Sequence, residues 1–169
     1  IPLVFLQNIS GYIIGKEYER RGITKDGHKM VHAVSTATVP KFTVVIGASF
    51  GAGNYGMCGR AYSPRFLWMW PNSQIGVMGG EQAAKTLLQI QVSAMKAKGM
   101  EVAAEEEQKI LKEITQKYLS QTSPYYAAAR LWVDAIIDPI DTRLVVSESI
   151  AAANQSPISN QMKLGVFQV

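Results

Sequence analysis

Between Asp26 and Glu81 the chain carries no acidic side chain. A segment that long without a carboxylate has nothing nearby in sequence to repel a developing negative charge. Cysteine is scarcer still. Cys58 is the only one, which excludes an internal disulfide framework and is compatible with a reducing compartment. Long apolar runs are absent too: charged or polar residues interrupt every candidate before the roughly 18 to 20 residues that a membrane span needs, so the reading is a soluble chain with no membrane partner. Basic clusters are missing as well. The net charge of +4 is scattered, and the only run of three like charges, Glu105 to Glu107, is acidic, which argues against nucleic acid as a partner. There is no internal repeat and no low-complexity segment.

What is present is enough apolar side chain, 47% of 169 residues, to build one domain with its own core. The chain opens on IPLVFLQN with no initiator Met and no basic leader, which reads as a buried strand in a piece of a longer polypeptide. Pro2 to Gln7 is that strand, leaving through the turn-rich Asn8-Ile9-Ser10-Gly11. Met30, Val31, Val34 and Ala37 then fall at helical spacing within Thr24 to Ala37, and Phe42 to Ile46 is the next strand. A helix is expected from Gly53 to about Tyr62, short extended pieces at Phe66 to Trp70 and Gln74 to Met78, and a helix from Glu81 to Lys98. Glu101 to Ser120 places Ile110, Leu111 and Ile114 on one face, as a surface or interface helix would. Asp138-Pro139-Ile140-Asp141 reads as an N-cap opening a last helix to about Asn154. Strands early, alternating with helices, and helices late give an α/β layered domain with a helical C-terminal cap and parallel strand pairing.

The chemistry concentrates in VVIGASFGAGNYGMCGRAYSPRFLWMWP, Val44 to Pro71. Gly51, Ala52, Gly53 and Gly56 leave little side-chain bulk, so a ligand oxygen can approach main-chain amides where a helix opens, as an oxyanion site requires. The same glycines fit G-x-G-x-x-G after a strand. A dinucleotide site wants an acidic residue about 20 positions on, however, and that region reads WPNSQIG. Glycines that only permit tight strand-to-helix packing are the plainer alternative. His28 and His32 share a helical face with no Glu between them and no third ligand in sight, so no metal site is expected, and they read as partly solvated helix residues. Cys58 reads as a small apolar residue rather than a nucleophile. Trp68, Met69, Trp70, Met57 and Met78 either line an acyl pocket or pack a core. Arg143 with Asp141 reads as an ion pair, and Tyr125 and Tyr126 as packing residues.

More specific than any spacing are the words themselves. SFGAGNYGMCGRAYSPRFLWMWPNSQIGVMGGEQAA, with NISGYIIGKEYERRGITKDGHKM, PYYAAARLWVDAIIDP and DTRLV, closely resembles the biotin-dependent acyl-CoA carboxyltransferases, and its methylcrotonyl branch in particular, over nearly the whole chain. The resemblance implies a crotonase-like spiral of ββα units, with residues 1–169 as most of the C-terminal, carboxybiotin-side domain, truncated at its N-terminus.

It also implies a mechanism. Carboxybiotin, carried on a partner α subunit that holds the biotin carboxylase and biotin carrier, releases carbon dioxide; the ureido oxyanion left behind takes a proton from the acyl-CoA, and the enolate captures the carbon dioxide. For 3-methylcrotonyl-CoA the product is 3-methylglutaconyl-CoA, in leucine degradation. The biotin is its own base, which suits a sequence with no evident His, Asp or Glu base. Carried over by motif, the Ala52 and Gly53 amides hold the ureido oxygen, with Gly51 beside them. Gly11 and Tyr12 belong to the neighbouring cofactor loop, which reads Asp-x-Pro-Gly-Phe in many relatives and Asn8-Ile9-Ser10-Gly11-Tyr12 here, as in the methylcrotonyl branch. Tyr55 borders the acyl pocket. The family works as a hexamer whose site lies between N and C halves, so this fragment alone is expected to be inactive; its compartment would be the mitochondrial matrix in a eukaryote and the cytoplasm in a bacterium. Geranyl-CoA carboxylase, a crotonase-type hydratase and a non-catalytic assembly module are the rival readings.

Overall fold

The computed structural model describes residues 1–99 and 104–156. Its strands are β1 (Leu3–Ile9), β2 (Lys41–Phe50), β3 (Phe66–Met69), β4 (Gln74–Gly76) and β5 (Ala135–Ile136). They form one sheet in the order β1-β2-β3-β5, with β4 paired to the far end of β2, and every pairing is parallel. Helices α1 (Lys16–Arg20) and α2 (Ile23–Thr36) connect β1 to β2, and α3 (Gly51–Gly56) follows β2 at once. The second half supplies α4 (Gly80–Ala97), α5 (Ala104–Thr122), α6 (Pro124–Ala128) and α7 (Thr142–Ala153). No helix among the described residues is long and apolar enough to cross a membrane.

The sheet is covered on both faces because β2 and β3 are apolar at successive positions, as a parallel strand between two layers must be. Phe42, Val44 and Trp68 point one way and pack with Ile137 against Val145, Val146 and Ile150 of α7. Val45, Leu67 and Met69 point the other way and meet Ala127 of α6 and Val133. Each of these fully buried aliphatic side chains contributes about 1.5 to 3 kcal/mol relative to exposure. Trp68 and Met69 are therefore core, while Trp70 is half-buried and donates its indole N–H to Thr142 Oγ1 at 2.9 Å. Asp134 accepts from the Leu67 amide at 2.7 Å and pairs with Arg60 at 3.0 Å, joining the short β5 segment to β3.

Several sequence expectations need correcting. Among the described residues β1 lies at the edge of the sheet rather than buried within it: Leu3, Val4 and Leu6 are 39%, 43% and 52% exposed, and of its residues only Gln7 is fully buried. The helix expected from Gly53 to Tyr62 starts earlier and splits. α3 stops at Gly56, Cys58 takes a left-handed φ of 59°, and Arg60–Tyr62 is a separate 3-10 turn. Asp138 does cap, accepting from the Ile140 amide at 3.0 Å, but what it caps is a 3-10 turn, Pro139–Asp141, from which α7 continues. Tyr125 is 66% exposed, whereas Tyr126 packs on Trp132 under the Arg130 guanidinium. Among the described residues Arg143 forms no ion pair with Asp141. His32 is buried rather than solvated, its ring 5.7 Å from that of His28. The start of the expected Glu101 helix lies outside the described residues.

Candidate active site

In a parallel sheet all strands finish on one side, so the exits of neighbouring strands share a single rim. β2 lies between β1 and β4, and three loops therefore converge: Ser10 to Gly15 after β1, Gly51 to Gly53 after β2, and Val77 to Gly79 after β4. Between them is a cleft of about 520 Å³ lined by Ser10, Gly11, Tyr12, Ile13, Ile14, Gly51, Ala52, Val77, Met78 and Gln82. No carboxylate among the described residues lines it. A second cleft of about 350 Å³ adjoins it, sharing Tyr12, Ile13, Ile14 and Ala52 and adding Ile23, Val31, His28 and Glu19.

The turn itself is dictated by its glycines. Gly51 has φ +59°, a left-handed conformation that a side chain resists, and a Cβ there would stand 3.0 Å from Val77 O in the opposite wall. Gly53 is buried, and a Cβ on it would run into the Ile9 side chain of β1. With those two positions bare, β2 turns directly into α3 alongside β1. No side chain caps α3. Its first-turn amides, like those of any helix, have no acceptor within the helix.

Four of the sequence-nominated residues therefore meet around one cleft: Gly11, Tyr12, Gly51 and Ala52. Gly53 sits behind them against β1. Tyr55 is carried by the same helix but lines neither cleft; it is half exposed, with its ring edge-on to Tyr62 at 5.7 Å. Tyr12 is wedged between α2 and α3, its hydroxyl 3.4 Å from Gly27 O and its ring filling the space that a Cβ at Gly27 would need. Met78 lines the cleft. Cys58 is fully buried behind α3, and burial raises its thiol pKa, opposed in part by the Lys41 charge and the Thr43 hydrogen bond. No group of three or more metal-ligating side chains occurs among the described residues.

The residues that sequence reading missed are mostly those that hold the loops. Tyr118 of α5 donates to Met78 O at 2.6 Å and accepts from Met78 N at 3.1 Å, clamping the β4 exit loop. Asn8 Oδ1 accepts from the Ala48 amide at 3.1 Å where the β1–β2 register slips, filling the bulge that re-aims the end of β2.

Residues 1–166 match the carboxyl transferase domain family. The chain belongs to that family. It is 55% identical over 170 residues to the mitochondrial methylcrotonoyl-CoA carboxylase beta chain of Dictyostelium discoideum, covering 100% of this chain and 29% of that one. It is 54% identical to the biotin-dependent 3-methylcrotonyl-coenzyme A carboxylase beta1 subunit of Mycobacterium tuberculosis, covering 100% of this chain and 32% of the relative. The solved geranyl-CoA carboxylase beta subunit of P. aeruginosa superposes with a TM-score of 0.82 at 39% identity, over 99% of this chain and 31% of that one. The architecture is thus the crotonase-like α/β fold of carboxyltransferase beta subunits, and the chain spans about a third of the length of these relatives.

Proposed function

We propose that this chain is the carboxybiotin-side domain of a biotin-dependent carboxyltransferase that converts 3-methylcrotonyl-CoA to 3-methylglutaconyl-CoA in leucine degradation. The observation that carries the proposal is family membership over residues 1–166 in a chain whose glycine turn borders a cleft without a carboxylate. Biotin, delivered on a partner α subunit, supplies the transferable carbon dioxide and the base. The cleft's donor set fits such a group: neutral amides and small residues can receive a ureido oxygen that gains negative charge, and no acid among the described residues lines this cleft. In this reading the Ala52 and Gly53 amides donate to that oxygen, Gly51 sets their direction, Gly11 and Tyr12 form the facing wall, and Tyr55 acts on substrate choice from the outer side of α3.

The acyl-CoA half of the site would come from elsewhere in a complete subunit assembled as a hexamer, so this chain alone is expected to show no turnover. Residence follows the source: the Dictyostelium relative is named mitochondrial, and a bacterial form would work in the cytoplasm. Identity of 54–55% to methylcrotonyl carboxylase subunits against 39% to the geranyl enzyme favours the smaller acyl group.

The test is fixation of labelled bicarbonate by the complete subunit with its biotin-carrying partner and ATP, offered methylcrotonyl-, geranyl-, propionyl- and acetyl-CoA. Preference for methylcrotonyl-CoA is expected. Preference for another thioester moves the substrate and keeps the chemistry, and no fixation on any of them overturns the reading. One observation keeps a hydratase in view: Glu19 is a carboxylate lining the second cleft, which Ala52 also lines.

A further inference from the structure

Gln7 of β1 and Ser49 of β2 are completely buried polar side chains, and they are bonded to each other. Ser49 Oγ donates to Gln7 Oε1 at 2.6 Å and accepts from Asn54 Nδ2 of α3 at 2.8 Å. Gln7 Nε2 in turn donates to Met57 O, just past the end of α3, at 2.7 Å. The relay starts two residues before Gly51, crosses to the fourth residue of α3 and returns to its C-terminal end through β1. It therefore straddles Ala52 and Gly53.

We infer that the Gln7–Ser49–Asn54 relay is a positioning device that fixes the direction of the first-turn amides of α3 for carboxyl transfer. The inference rests on the proposed role of the Ala52 and Gly53 amides. A helix of six residues is too short to hold itself, and this one has no side-chain cap, so its orientation comes from what grips it. Apolar side chains could fill the same volume, but only directional bonds fix both the roll of the helix and its distance from the sheet. The packing makes room for the device: a Cβ on Gly59 would overlap the Asn54 carboxamide, and Gly59 N is bonded to Asn54 O at 2.8 Å. Thr43 Oγ1, donating to Cys58 O at 2.7 Å, anchors the next residue but takes no part in the relay.

The test compares Ser49→Ala, Asn54→Ala, their double variant and Thr43→Val in the complete subunit with its biotin-carrying partner, measuring kcat, KM for the acyl-CoA and Tm. Each relay variant is expected to lower kcat by about ten- to hundredfold, as small misplacements of catalytic groups do, with KM changed by less than about threefold. The double variant should fall no further than the worse single one, because both remove the same bond. Thr43→Val should lower Tm while kcat stays within about threefold of wild type. Unchanged kcat, additive losses, or losses that merely follow Tm would overturn the inference. If Asn54→Ala fails to assemble, Asn54→Ser carries the same expectation for kcat. A second readout is independent of turnover: amide exchange at Ala52 and Gly53 should change in Asn54→Ala and not in Thr43→Val. If wild type fixes no carbon dioxide, the proposed function fails, and the exchange comparison still decides whether the relay holds the turn.

Discussion

Replacing Tyr118 by Phe removes one oxygen atom and leaves the ring in place. That oxygen makes two bonds to a single residue of the cleft wall, donating to Met78 O at 2.6 Å and accepting from Met78 N at 3.1 Å. A bond of this kind contributes about 1 kcal/mol net, so the pair is worth about 2 kcal/mol at most. The Met78 backbone is only half-buried and water can reach part of it after the change, which lowers the expected loss to about 1 to 2 kcal/mol. For a domain of this size 1 kcal/mol moves Tm by about 2 to 4 °C, so a fall of roughly 2 to 8 °C is expected.

The local effect should be more specific than the global one. With the clamp gone, opening of the Val77 to Gly79 loop becomes easier by the same free energy, and protection of the Met78 amide should drop by about tenfold. Hydrogen exchange read residue by residue checks this against the Val44 and Val45 amides in the middle of β2, which should change only as far as global stability does. Unaltered protection at Met78 would refute the view that α5 holds this wall. Because Val77 O lies against Gly51, a loosened loop should also reduce carboxylation in the complete enzyme, by less than the relay variants do.

Cys58 should resist thiol reagents at pH 8 in the native protein and react once the chain is unfolded, and rapid native labelling would contradict its burial. Its folded pKa is raised chiefly by burial, so the stability linked to it is complete below the unfolded thiol pKa and is lost as pH climbs through the folded one; a melting series from pH 8 to 10.5 should decline, and Cys58→Ala should decline less. Gly51→Ala forces a side chain into a left-handed position against Val77 O and should cost about 1 to 2 kcal/mol in a denaturant titration together with most of the carboxylation rate. Glu19→Gln separates the two enzyme readings: carboxylation should stay within about threefold if biotin is the base, whereas loss of enoyl-CoA hydration on that substitution would establish a hydratase.

The elements that the sequence declared were those whose cause is local. The helical spacing of Met30, Val31 and Val34 placed α2 to within a residue at each end, and the β-branched run before Gly47 placed the start of β2 but not its continuation to Phe50. Where the cause is distant, the reading failed. Nothing in IPLVFLQN states whether a second strand will lie beside it, so its apolar residues suggested burial that the edge position of β1 does not provide. Helical spacing past Gly53 ran on to Tyr62 because no local rule announces that Cys58 will take a left-handed φ, with its carbonyl held by Thr43 fifteen residues upstream.

The candidate site divides in the same way. Glycines around residues 51 to 56 advertised a bare turn, because closeness of backbone leaves a mark in composition. The groups that aim that turn leave none, since Gln7, Ser49 and Asn54 look like ordinary polar residues until parallel pairing of β1 with β2 brings Gln7 opposite Val45 and Ile9 opposite Ser49. The register slip between those two pairs, filled by Asn8, is what sets the end of β2 and the start of α3 against β1. An insertion or deletion in Gly47 to Ala48 would therefore disturb the α3 turn while leaving every glycine in it untouched.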